Sequence, residues 1–184
     1  MKKTFFRPFA AAFLLAAPLL FASCSDNSDP EPEDDNELIT TVRYTLTPVS
    51  GGTAVTADWK DIDGDGGTAP TIGTLRLAPN TAYTGTVTFL DETKTPVEDT
   101  TEEVREESDE HLVIYTPSPI SLMTVTRTDK DDNGLDVGLS TTVQTGAAAS
   151  GTLQIQLRHQ PEGKDGTSAP GSDDANVTFP VVLQ

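Results

Sequence analysis

Beyond residue 38, apolar and polar residues alternate along most of the chain. TTVRYTLTPV sets Val42, Tyr44 and Leu46 on one face, and GTVTFL does the same for Val87 and Phe89. SLMTVTRT opposes Leu122, Thr124 and Thr126 to Met123, Val125 and Arg127, while GTLQIQLRH turns Leu153, Ile155 and Leu157 inward. A period of two marks a strand with one buried face. The pattern predicts strands near 38–47, 54–60, 72–77, 83–90, 111–116, 121–128, 136–144, 151–159 and 177–183. Turn residues separate them at short intervals, which favours an all-β sandwich of about 8–9 strands over a parallel α/β sheet.

Two polar stretches interrupt this pattern. TPVEDTTEEVREESDEH is an acidic insert, and Thr101 to Glu110 reads as a short turn of helix or an extended loop. Glu102 and Glu103 face Glu106 and Glu107 at i,i+4 spacing, and such like charges disfavour a long helix. PEGKDGTSAPGSDDAN, from 161 to 176, reads as a surface loop before the last strand.

The N-terminus follows a different pattern. Lys2, Lys3 and Arg7 precede an apolar run from Phe9 to Phe21, and the small pair Ala22-Ser23 stands before Cys24, the only cysteine. A basic head, an apolar middle shorter than the roughly 20 residues of a membrane span, and small residues at the end describe a cleaved export signal. The predicted organisation is a signal over 1–23, an anchor and linker over 24–37, and one sandwich domain over 38–184. The cysteine context resembles the lipobox of bacterial lipoproteins, with Phe21 where that family usually has Leu. The resemblance implies a diacylglycerol on the Cys24 thiol and an acylated amino group. At ~0.8 kcal/mol per buried methylene, several acyl chains attach a protein to a membrane permanently. Between Ser25 and Glu37 lie seven acids and two prolines without an aromatic residue, the composition of a solvated tether. A Ser-Asp-rich stretch after the cysteine is also similar to the surface-export signal of some Gram-negative lipoproteins; a plain polar spacer is the alternative.

Loss of Lys2, Lys3 and Arg7 makes the formal charge of −17 three units more negative. Such a body repels nucleic acid and anionic headgroups and suits cations or basic partners. Without a disulfide, stability must come from core burial, for which about 150 residues suffice.

Two loops have the spacing of calcium ligands. DIDGDGG places Asp61, Asp63 and Asp65 at alternate positions, and DKDDNG repeats this with Asp129, Asp131 and Asn133, followed by Asp136. Alternating carboxylates can converge on one hard cation. The bidentate Glu of a complete loop is missing, since Ile72 and Ser140 stand there, so affinity would be that of extracellular modules, ~10⁻⁴ to 10⁻³ M. Hairpin turns are the simpler reading of both.

The two histidines, His111 and His159, each keep phase with inward-facing residues. With Glu107, Asp109 or Glu110 nearby, two imidazoles and a carboxylate could hold zinc or copper. Two separate histidines at strand ends are the simpler alternative. No nucleophile elbow, phosphate-cradling glycine loop or helical metal-binding histidine pair occurs, so the sequence points away from an enzyme; the abundant acids leave a hydrolase as the weakest reading.

In LAPNTAYTGTVTFL, Leu77, Pro79, Thr81 and Tyr83 resemble the tyrosine corner of fibronectin type III domains, which implies an immunoglobulin- or fibronectin-like sandwich. Cys24 with its acidic tether, LAPNTAY, EESDEHLVIY and GTLQIQLRHQP together resemble a family of small Gram-negative lipoproteins without an assigned activity. Some of these carry the label of a type 1 periplasmic binding fold, a larger fold that alternates strands with helices. The resemblance implies an outer-membrane lipoprotein on the periplasmic or cell-surface face. The expected function is that of a non-enzymatic, membrane-attached protein that binds a ligand or partner through its acidic loops, by analogy an accessory to an outer-membrane transporter, or alternatively a calcium-stiffened structural or adhesive module.

Overall fold

The computed structural model describes residues 38–64, 66–161 and 163–184. The described residues form an all-β sandwich of ten strands and one short helix. The strands are β1 (Thr41–Pro48), β2 (Val55–Lys60), β3 (Thr71–Ile72), β4 (Leu75–Leu77), β5 (Ala82–Leu90), β6 (His111–Ser118), β7 (Met123–Arg127), β8 (Ser140–Thr145), β9 (Ala149–His159) and β10 (Ser172–Leu183); α1 spans Thr101–Glu106. One sheet runs β3-β2-β1-β5-β8-β7 and the other β4-β10-β9-β6. All pairings are antiparallel except that of β4 with β10.

The inward faces are those the alternation marks. Val42, Tyr44, Leu46, Phe89, Leu153, Ile155 and Leu157 are fully buried and share one core with Val113 and Phe179. Burial of such side chains contributes about 1.5–3 kcal/mol each, which is why a chain without disulfides can hold two sheets together. In β5, Gly85 faces the phenol of Tyr44, whose hydroxyl lies 2.8 Å from Thr141 Oγ1. A Cβ at position 85 would stand 2.6 Å from the Tyr44 oxygen, so the ring fits only over glycine. At the entry to β5, Tyr83 Oη accepts a hydrogen bond of 2.8 Å from the Ala78 amide, tying the preceding loop to the strand.

Several boundaries differ from the sequence reading. The strand expected over 72–77 is two: Ile72 pairs with Trp59 in the larger sheet, and Leu75 pairs with Val181 in the smaller, so the chain changes sheets between them. The strand expected over 136–144 begins only at Ser140. Its first residues instead close the preceding acidic loop, where the amides of Gly138 and Leu139 donate to the Asp129 carboxylate. The expected loop over 161–176 gives its last five residues, Ser172 to Asn176, to β10. Asp173 is held there by the Arg158 guanidinium at 2.6 Å, and Ala175 is buried. An ion pair across the sheet thus extends a strand that its polar composition concealed. The acidic insert resolves into the six-residue α1, which docks through buried Val104 and through Thr101, whose hydroxyl accepts from the Phe89 amide and donates to the Phe89 carbonyl.

Candidate metal centre

Three adjacent strands of the smaller sheet end at the same place. His111 opens β6 and His159 closes β9, and the antiparallel register sets them directly opposite each other. Directly opposed residues share a face, so both imidazoles point inward; their rings stack with centroids 4.8 Å apart and planes 9° from parallel. Both residues are buried, His111 1 % and His159 6 % exposed.

The turn between α1 and β6 folds acids over this pair. The helix ends where the Glu107 amide donates to Glu103 O, and the Glu110 amide then donates to Glu107 O. His111 Nδ1 lies 3.0 Å from the Glu107 carbonyl oxygen. A carbonyl only accepts, so Nδ1 carries hydrogen and Nε2 is the ring nitrogen on the opposite edge. The Glu107 carboxylate, His111 and His159 each offer a donor atom, and these three lie within 4.8 Å of one another. Glu110 Oε2 lies 3.4 Å from His159 Nε2.

The third strand supplies a residue that the spacing of the sequence does not reveal. Along β10, Asp173 faces Arg158 and Ala175 faces Leu157, leaving Asp174 as the extra residue of a β-bulge. Bulges re-aim side chains. Here the Asp174 carboxylate turns wholly out of solvent and sets Oδ2 3.4 Å from His111 Nε2. Neither Asp174 oxygen has a hydrogen-bond partner, and neither has His111 Nε2. Burial opposes charge on the His111 ring, but the Asp174 carboxylate and the Glu107 carbonyl outweigh it and hold its pKa above the usual histidine value. Close packing of the chain around the site requires Gly171: with φ +75° it passes against the His159 carbonyl where a Cβ would collide.

In the loops with calcium spacing, the described carboxylates bond within the protein. Asp61 Oδ1 accepts the Gly64 amide at 3.1 Å and Asp63 Oδ2 the Thr68 amide at 2.8 Å. Asp61 also lines a cavity of about 330 Å³ together with Trp59, Asp174 and Asn176. In the second loop Asp129 takes two amides, and Asp131 takes the amides of Asn133 and Leu135 on one oxygen and the Lys164 ammonium on the other. Asp136 pairs with Lys130 and with Arg127. Asn133 contributes its backbone amide to this turn. Cys24 and Asp65 lie outside the described residues.

Of the sequence-predicted groups, the structure brings Glu107, His111 and His159 together. The reading of two separate histidines is corrected by their cross-strand pairing. Among the described residues, no helix is long and apolar enough to cross a membrane. The chain matches no family model, no curated protein and no solved structure in the comparisons made.

Proposed function

We propose that the chain is a non-enzymatic lipoprotein of the outer membrane, held through lipid on Cys24, that acts by binding at the buried end of its smaller sheet. The observation that carries the binding part is Asp174, a buried carboxylate that, among the described residues, makes no hydrogen bond and faces only His111 Nε2, at 3.4 Å. Native structures satisfy nearly all such groups with hydrogen bonds, and a buried carboxylate held only by a 3.4 Å contact to an imidazole supports the reading of a ligand place. The cluster lies where the strand ends meet the α1 turn, with His111 and His159 buried and Glu107 at its exposed rim. The anchor rests on the basic head, apolar run and lone Cys24, with an acidic tether before β1. As a tethered module it would serve as an accessory to an outer-membrane transporter, a role supported by analogy.

Metabolic labelling with radioactive palmitate tests the anchor: label is expected in the wild-type chain and absent from Cys24→Ala. Native mass spectrometry of the chain extracted from its membrane tests the binding. The expected result is an added mass that Asp174→Asn loses; an unmodified, ligand-free chain in both forms would remove this reading.

A further inference from the structure

We infer that the cluster at the end of β6, β9 and β10 is a four-donor site for a borderline transition-metal ion, zinc(II) first, with His111 Nε2, His159, Glu107 and Asp174 as ligands. The inference names the ligand class for the binding reading above and rests on that reading, but it is independent of the lipid anchor.

Donor chemistry selects the ion. Two imidazoles and two carboxylates suit zinc, copper or nickel, whereas calcium takes an all-oxygen shell. Structural and catalytic zinc is held at 2.0–2.2 Å by nitrogen and oxygen, which places the donors of a tetrahedral ion about 3.4 Å apart. His111 Nε2 and Asp174 Oδ2 are already separated by 3.4 Å. Glu107, His111 and His159 bring donors within 4.8 Å of one another, and Asp174 joins through His111; for one ion to lie in both ring planes the stacked imidazoles must turn out of parallel.

The surroundings fit the same ion. A metal-bound histidine ordinarily donates its other ring N–H to a carbonyl or carboxylate, and His111 Nδ1 already faces the Glu107 carbonyl. A dication would offset the carboxylates of Glu107 and Asp174, which with Glu110 beside His159 otherwise gather negative charge around the two imidazoles. The four donors come from two strand ends, a bulge and a helix-terminal turn. None needs the backbone to open, because His111 and His159 are fixed by the β6–β9 ladder and Gln160 N extends that ladder to Glu110 O at 2.6 Å.

The test is calorimetric titration of the untagged full-length chain, in detergent micelles, with zinc chloride and separately with calcium chloride. One zinc per chain is expected, without comparable calcium binding at this site. Glu107 is exposed, so Glu107→Gln should fold as the wild type; it and His159→Gln should each weaken zinc tenfold or more, as should Asp174→Asn. Circular dichroism of each metal-free variant confirms folding. Absence of stoichiometric zinc in the wild type, or unchanged affinity in both Glu107→Gln and His159→Gln, would overturn the metal centre. Unchanged affinity in Asp174→Asn alone would remove Asp174 from the ligand set. Palmitate incorporation with no zinc bound would refute the metal and leave the anchor standing.

Discussion

Lys164 Nζ lies 2.8 Å from Asp131 Oδ2, and both side chains are shut off from solvent, 1 % and 0 % exposed. The same ammonium donates to Ser108 O, so one lysine joins the loop before β10 to the acidic loop and to the turn after α1. Removing one partner of a buried pair strands the other charge, which costs about 3–5 kcal/mol. Lys164→Ala should therefore lower the unfolding free energy by that order in a urea titration. A loss below 1 kcal/mol would mean the pair is reached by water.

The same pair sets an acid limit. Burial pushes the Asp131 carboxyl up, but Lys164 and the loop amides outweigh it and hold its pKa below the usual value. A depressed folded pKa contributes stability above the unfolded value of about 3.9, and that contribution is lost as pH falls through the folded pKa. Thermal melts between pH 7 and pH 3 should show a steeper fall in the wild type below about pH 4 than in Lys164→Ala. Equal slopes would contradict the linkage.

Arg43 and Asp58 provide the contrast. Their two hydrogen bonds of 2.8 Å are well formed, but the side chains are 42 % and 37 % exposed. Exposed pairs contribute about 0–1 kcal/mol because water screens them and the side chains lose freedom. Arg43→Ala should shift the urea midpoint by less than a third of the Lys164→Ala effect.

Gly85→Ala should destabilise by about 1–3 kcal/mol, the usual range for overpacking. The new methyl group would press on the Tyr44 hydroxyl, so adding Tyr44→Phe should return part of the loss. Additivity of the two substitutions in a double-mutant cycle would show that the phenol yields without resistance.

At Tyr83 the hydroxyl accepts the Ala78 amide, and Tyr83→Phe leaves that amide without its partner. A cost of about 1 kcal/mol is expected by equilibrium unfolding. No measurable change would place water on the amide in the variant.

The sheets were legible because one-face burial leaves a period of two, and the faces named for Val42–Leu46, Val87–Phe89 and Leu153–Leu157 are found inward; along SLMTVTRT both Leu122 and Met123 are buried. The candidate site was half legible. Phase showed that His111 and His159 face the core, but only strand register could show that they oppose each other. Asp174 was hidden because SDDAN has no apolar alternation and a bulge breaks the very periodicity by which strands are read. Lys164 was hidden for a similar reason: a long-range ion pair between two polar loops has no spacing in sequence.

The extra residue at position 174 separates what the sheet needs from what the site needs. Deleting it would leave Asp173 facing Arg158 and bring Ala175 next in line, restoring an unbroken β9–β10 ladder while erasing the carboxylate beside His111. One codon therefore separates an unbroken β9–β10 ladder from one that sets a carboxylate beside His111.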